Sequence, residues 1–296
     1  MTEKNYLALF AKSFNWAGFF LPKNTYHDCS KLYTFCRVLD DLVDEQTSLE
    51  LRSEKFNKIK EVFEKGYKEA NDREKLIGQN EYDLIVKNMI IIADKNNIKK
   101  IILDDLIEGV SSDLKSKVYL RSVKDLLVYS YKVAGTVGIM MAKILNVNDT
   151  RSLKGAIDLG IAMQLTNIAR DVIEDKKMNR QYIKPDFENI EATLKLADMF
   201  YESSFTSIKN IPFKYKFAII VARRVYRQIG RKILKKGDMN NYEKAGKIYI
   251  NNFGKIFQTF LSLFDLMLLY LKNIEPHQRL REHEIIGEDI NLDERI

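Results

Sequence analysis

The stretch from Gly160 to Asp175, GIAMQLTNIARDVIED, constrains this chain more than any other. At about 100° per residue it reads as a helix on which Gln164, Asn167, Asp171 and Asp175 form one narrow polar stripe. Most of the remaining surface is apolar: Ile161, Ala162, Met163, Leu165, Ile168, Ala169, Val172 and Ile173. A helix this apolar belongs in the middle of a protein, yet its polar line ends in two carboxylates one turn apart. Residues at i and i+4 are neighbours on a helix face, and like charges there repel. A cation joining them removes that penalty.

The pattern occurs twice. In LYTFCRVLDDLVDE, residues Tyr33, Arg37, Asp40 and Asp44 again share a stripe, with Asp41 at its edge and Leu32, Phe35, Val38, Leu39, Leu42 and Val43 flanking it. A single D-x-x-x-D on a helix is ordinarily a solvated face. Two copies, each with an arginine beside it and both set in apolar helices, are not. Two such helices facing each other across a cavity would present four aspartates with no Cys or His partners. That donor set suits Mg²⁺, with Mn²⁺ as its substitute, bound through carboxylates and substrate phosphates; it does not suit Zn²⁺.

Few residues break helices: 13 Gly and 4 Pro in 296. With 46% hydrophobic residues the chain has ample material for a core, and it is expected to be all-α. The length allows two domains or one large helical one; the absence of a linker, repeat or low-complexity stretch favours a single domain over 1–296. The 48 basic and 41 acidic residues leave a net charge of +7. The bases are scattered through amphipathic helices, as a solvated surface or as an attraction to an anionic substrate or anionic lipid. Nothing matches a nucleic-acid motif. Cys29 and Cys36 on one helix argue for a reducing compartment and against a disulfide framework. The opening residues lack a signal-peptide core, and no run reaches about 18 uninterrupted apolar residues. A cytoplasmic location is expected.

In chain order, a short helix leads into SFNWAGFFLP, closed by Pro22. Helices are then expected at Thr25–Glu45 (the first aspartate helix), at 53–70, 81–95 and 97–110, and after the loop LKSKVYLRS at 122–145. That last one carries Gly135 and Gly138, each costing about 1 kcal/mol against Ala in a helix interior. Either neighbouring helices pack tightly there, or the missing side chains leave room for a ligand. Tyr129 shares a side of that helix with Val133, where its hydroxyl could reach a cavity. The anchor helix spans 151–178 and leaves through a basic loop, KKMNRQYIKPDF. Helices at 191–209 and 213–236 follow, the second with Arg223, Arg224 and Tyr226 in an apolar setting. A long apolar helix over 241–273 reads as a packing helix or, less readily, as a docking face for a membrane, and 275–296 as a charged, mobile tail.

These segments, in this order, resemble the squalene/phytoene synthase family of head-to-head isoprenoid synthases. The match runs through SFNWAGFFLP, YTFCRVLDDLVDE, YSYKVAGTVG, GIAMQLTNIARDVIEDKKMNRQYIKP and ARRVYRQI, and the Gln-x-x-Asn-x-x-Arg-Asp lead-in is the most specific part. The resemblance implies one α-helical domain around a deep cavity. It also implies Asp40, Asp44, Asp171 and Asp175 as metal ligands, Arg37 and Arg170 as diphosphate contacts, and Tyr33, Tyr129 and Tyr226 near the reacting centre. Asn167 matches a metal or polar partner, Gln164 a cavity-lining residue, and Lys12 a basic residue near the diphosphate flap. Ser13, Phe14, Gly18, Val133, Gly138 and Arg224 join them as candidate substrate contacts. Lys247 and Lys255 stand where arginines are usual; lacking the fork of Arg, Lys247 is left out of the diphosphate set.

The implied activity joins two prenyl diphosphates head to head through a cyclopropylcarbinyl diphosphate, releasing diphosphate. Gly18 stands where some relatives that join shorter chains carry a bulky aromatic, which favours two geranylgeranyl diphosphates and phytoene, although Trp16 and Phe19 could refill that space. The alternative is squalene or dehydrosqualene from farnesyl diphosphate, and NADPH enters only for squalene. A non-catalytic relative acting in complex assembly would be expected to lose aspartates that this chain keeps. A peripheral membrane contact for product release completes the set of expected partners.

Overall fold

The computed structural model describes residue 7 and residues 12–68, 81–271 and 280–296; the side chain of Lys12 lies outside the described residues. The chain is a set of helices: α1 (Lys12–Gly18), α2 (Lys23–Asp44), α3 (Leu49–Lys68), α4 (Glu81–Lys95), α5 (Lys100–Ser111), α6 (Val123–Ser130), α7 (Thr136–Ile144), α8 (Thr150–Lys177), α9 (Phe187–Ser207), α10 (Phe213–Leu234), α11 (Met239–Ala245), α12 (Asn252–Leu271), α13 (Arg281–Gly287) and α14 (Leu292–Arg295). The described residues add only two short strands, β1 (Val118–Tyr119) and β2 (Arg180–Gln181), which pair in parallel. Polar caps start several helices. Asp149 accepts from the Ser152 amide, Asp186 from Asn189 and Asp238 from Asn241, and Ser122 with Asp125 closes a capping box. Such caps are each worth about 1 kcal/mol.

The anchor segment lies within α8, which is buried along most of its length, from Ser152 to Val172. Two near neighbours, α9 and the α6–α7 rod, flank it. The rod is continuous but changes pitch: Tyr131–Gly135 is π-helical, and the Thr136 amide donates to the Tyr131 carbonyl five residues back. That wider turn is a feature often found beside functional sites.

Glycines set how close the rod comes to α8. A Cβ on Gly138 would sit 2.1 Å from the Ala156 carbonyl oxygen, and one on Gly160 2.2 Å from that of Ala134. Tight packing is therefore what Gly138 supplies first, and the backbones touch where side chains would have kept them apart.

Three sequence expectations are corrected. The helix over 241–273 is two helices, parted at Gly246, whose φ of 59° lies in the left-handed region that glycine tolerates. The mobile tail over 275–296 is not borne out for its described part. Within 280–296, His283 meets buried Asp158 at 2.7 Å, and Arg295 pairs with buried Asp105 at 2.9 Å. Residues 272–279 lie outside the described residues. The loops LKSKVYLRS and KKMNRQYIKPDF contribute the strand pair, which sets Arg180 opposite Val118.

Helix α12 is packed inside out. Its buried residues include Lys255, Gln258 and Ser262, while Phe253, Ile256, Phe257, Phe260, Leu263, Phe264, Met267 and Leu271 face outward. Phe253 is 78% exposed. By length and composition α12 is apolar enough to cross a membrane, but its inward side is bound to the body: Arg224 donates to Asp265 at 2.7 Å, and Trp16 to Thr259 at 2.9 Å.

Candidate active site

The two polar stripes meet at one cavity of about 270 Å³, which Tyr33 and Asp40 line from α2 and Gln164 and Asn167 from α8. A single water needs about 10–15 Å³, so the space is large enough for a sizeable substrate. Its walls are mainly apolar: Phe14, Leu21, Val133, Val137, Met141, Leu145, Leu159, Met163 and Ile219 take part. Along α2 the lining runs from Tyr26 to Asp40, and along α8 from Ser152 to Asn167. At 1.5 Å per residue both tracks span about 21–22 Å. The two helices run from floor to mouth in the same sense. Their C-terminal ends, which carry partial negative charge, lie at the mouth together with the carboxylates.

The electrostatics there call for cations. Burial and the charge of Asp44 push the Asp40 carboxyl up to about 7, with Arg37 opposing. Asp40 opens onto the cavity, so water within it tempers this shift. Burial and Asp171 push Asp175 up to about 7, with Arg180 and Lys247 opposing. Asn167 Oδ1 is buried with no hydrogen-bond partner, a carbonyl oxygen of the kind a hard cation takes. The donor set of four carboxylates and one amide oxygen fits Mg²⁺. Among the described residues no three His, Cys, Asp or Glu side chains form a closed metal group, so an ion here needs water and diphosphate to complete its shell.

Basic side chains ring the mouth. Arg37 pairs with Asp41 at 2.5 Å, and Arg170 grips Asp171 with two bonds of 2.8 and 2.6 Å. Lys247, set aside on sequence grounds, reaches Asp171 at 3.1 Å. Arg180 donates to Asp44 at 2.6 Å. Tyr242 seals this end from behind, its hydroxyl donating to the Arg170 carbonyl at 2.6 Å.

Among the expected residues, Tyr33, Asp40, Gln164, Asn167, Phe14, Gly18, Val133 and Gly138 line the cavity. The Tyr226 ring packs at a tilt against Phe14, 4.8 Å between centroids, and lies within electrostatic reach of Arg170, Asp171 and Tyr33. Burial pushes its phenol up to about 12 and raises that of Tyr33, so both stay protonated. Ser13 opens α1 and is half-buried. Tyr129 is placed differently from expectation. Its hydroxyl donates to Asp113 at 2.7 Å and lies 3.2 Å from that of Tyr182, behind the cavity wall. Arg224 is also elsewhere, tied to Gln258 and Asp265 between α10 and α12. At Gly18 neither Trp16 nor Phe19 refills the space; the Tyr26 ring does, 2.7 Å from where a Cβ would lie. Trp16 turns to Thr259, and Phe19 is 71% exposed.

Residues 7–186 match the family model for squalene/phytoene synthase. The chain belongs to the squalene/phytoene synthase family. It is 33% identical over 245 residues to a 15-cis-phytoene synthase of Paracoccus sp., covering 77% of this chain and 79% of that one. It is 30% identical to another from Pantoea ananas, covering 78% and 81%. A dehydrosqualene synthase crystal structure superposes with a TM-score of 0.68 over 88% of this chain and 94% of its own, at 24% identity. A squalene synthase from Alicyclobacillus acidocaldarius gives 0.61 over 76% and 89%, at 17%. The family fold is all-α, as expected. The sequence reading missed Asp113, Arg180, Tyr182, Tyr26 and Tyr242. Only Arg180 and Tyr182 carried a signal, in the basic loop after the second motif.

Proposed function

We propose that this protein is a prenyltransferase that joins two geranylgeranyl diphosphates head to head to give phytoene, with Mg²⁺ as its metal. One observation carries the reading: a deep apolar cavity ends at a mouth where carboxylates, arginines and phenols gather, in a chain up to a third identical to bacterial phytoene synthases.

The residues supply what the chemistry needs. Asp40, Asp44, Asp171, Asp175 and Asn167 would hold Mg²⁺, whose charge would make diphosphate a competent leaving group. Arg37 and Arg170 bring guanidinium forks that match phosphate oxygens, and Lys247 adds a point charge. Loss of diphosphate leaves an allylic cation that water would quench, so the apolar walls from Phe14 to Met163 exclude it. The second substrate attacks through its double bond, a proton leaves, and a cyclopropylcarbinyl diphosphate forms. That ester ionises again, rearranges and loses a second proton to give the linear hydrocarbon. The neutral phenols of Tyr33 and Tyr226 offer lone pairs for a departing proton and ring faces for positive charge.

We further infer that the protein works on the cytoplasmic face of a membrane, resting on it through the outward face of α12. NADPH belongs only to the farnesyl-using alternative that ends in squalene. The deciding experiment incubates purified protein and Mg²⁺ with geranylgeranyl or farnesyl diphosphate, with and without NADPH, and identifies the hydrocarbon. Phytoene without NADPH is expected. Squalene formed only with NADPH would overturn the chain-length assignment, and no diphosphate release from either substrate would overturn the enzyme.

A further inference from the structure

Behind the mouth lies a buried group that the reaction as described does not use. Asp113, in the loop after α5, is 7% exposed. The hydroxyls of Tyr129 and Tyr182 both donate to its Oδ2, at 2.7 and 2.8 Å, and their rings stack at 4.8 Å. Its Oδ1 is buried with no hydrogen-bond partner. Its charge acts on Arg180, on Asp44 and on both Asp40 and Asp175. The β1–β2 pairing brings Arg180 to this place. From there one arm of its guanidinium reaches Asp44 at 2.6 Å and the other the Val43 carbonyl at 3.3 Å.

The charges at the mouth are unevenly matched. Asp171 has two cations, Arg170 and Lys247. Asp44 has Arg180, and among the described residues no other basic side chain lies within ion-pair distance of it. Arg180 is 9% exposed, so water does little to solvate its charge, and its cation cannot be discharged by losing a proton.

We propose that Arg180, positioned by Asp113, is the resting counter-cation of the mouth, and that divalent ions load by displacing it from Asp44. The proposal rests on the aspartates being metal ligands. It offsets part of the negative charge of the metal-free mouth, so ions alone bind more weakly than they would without it and load best together with the charge of diphosphate.

The test is Mn²⁺ alone, titrated into the full chain, with free Mn²⁺ read by electron paramagnetic resonance. Arg180→Gln removes the competitor and is expected to tighten Mn²⁺ binding by about tenfold, the scale of deleting one like charge in a partly solvated site. Asp113→Asn removes the counter-charge and leaves Arg180 to Asp44, so binding is expected to weaken by a similar factor. Arg180→Lys, which keeps the charge, is expected to stay within about twofold of the unaltered protein. A purely structural tie from β2 to α2 would weaken binding in both Arg180→Gln and Asp113→Asn, since each loosens the site. Unchanged or weaker binding in Arg180→Gln overturns the proposal. Melting in EDTA reports whether each variant folds. If Arg180→Gln does not, the uncharged Arg180→Met is titrated in its place: tighter binding supports the proposal, and unchanged or weaker binding overturns it. Failure of the unaltered chain to bind Mn²⁺ even with inorganic diphosphate present sinks the metal assignment and the proposal together; binding with the wrong sign in the variants sinks the proposal alone.

Discussion

Asp40 and Asp175 illustrate how a carboxylate's surroundings set what it does. Burial and a like charge one turn away push both up to about 7, against about 3.9 for Asp in an unfolded chain; Asp40 is exposed at the cavity mouth, so Asp175 carries most of the effect. A raised folded value means that the folded state holds the proton more tightly. That contribution is full below about pH 4 and is lost as the pH rises through about 7. The melting temperature of the metal-free protein is therefore expected to fall between about pH 5 and 7 and to level off above that, with saturating Mg²⁺ restoring it at the upper end. A metal-free protein equally stable at both ends would contradict the crowding of charge at the mouth. Asp171→Asn and Asp40→Asn should each lower kcat/KM by at least about a hundredfold, as expected for loss of an ionic ligand at a metal-assisted step, with folding intact by circular dichroism. At the other end of the cavity, Tyr26 fills the space that Gly18 leaves. Tyr26→Ala should lengthen the cavity and raise the preference for geranylgeranyl over farnesyl diphosphate. Gly18→Phe, which must expel the Tyr26 ring or fill the same wall, should move it the other way. Competition between the two diphosphates, read by product analysis, checks both.

At the scale of elements, α8 and the α6–α7 rod act as one unit because backbone meets backbone. In Gly138→Ala the new methyl must move the Ala156 carbonyl, and overpacking of this kind costs about 1–3 kcal/mol. A fall in melting temperature of several degrees is expected, whereas Gly18→Ala, which meets only the edge of a side-chain ring, should cost much less. Differential scanning calorimetry separates them, and equal losses would mean that the rod yields. Helix α12 has the opposite character. Its 20 residues reach about 30 Å, with polar anchors inward and a row of Phe, Leu, Ile and Met outward, a patch of the kind that marks an interaction surface. Its buried Lys255 and its Arg224–Asp265 pair hold its inward side to the body, and the proposed membrane contact is one made along its outward side. Phe257→Glu with Phe260→Glu should abolish co-flotation with phosphatidylcholine–phosphatidylglycerol vesicles while leaving turnover of detergent-dispersed substrate unchanged. Undiminished flotation would exclude this face.

For the whole molecule, the sequence is most legible where one helix carries its own message. The two aspartate stripes, the apolar sides of α2 and α8 and the all-α class follow from a 3.6-residue period and little else. What was hidden depends on partners distant in the chain. Asp113 is an ordinary loop carboxylate until Tyr129 and Tyr182 reach it, and Tyr129 itself read as a cavity residue because its helix face was right while its hydroxyl had a better partner behind the wall. Lys247 was discounted for lacking a fork, yet a point charge suffices to meet Asp171. The segment after residue 280 read as loose because its charges had no visible complement; His283 and Arg295 find theirs in Asp158 and Asp105, on α8 and α5. The long apolar helix was expected to pack, or less readily to dock on a membrane; it packs through a polar side, with Lys255, Gln258 and Ser262 buried, and leaves its apolar side exposed.

The parallel course of α2 and α8 has a consequence for traffic. Their carboxylates gather at one end of the cavity, and the opposite end is walled by residues such as Leu21, Gly18 and Ile211, chain neighbours of the exposed Phe19, Phe20 and Phe213. The reaction chamber is thus polarised along its length. Ionic heads are handled at a wet door, and an oily product lies nearest the wall whose far side is greasy. Along that axis the surroundings change from ionic to apolar with no moving part.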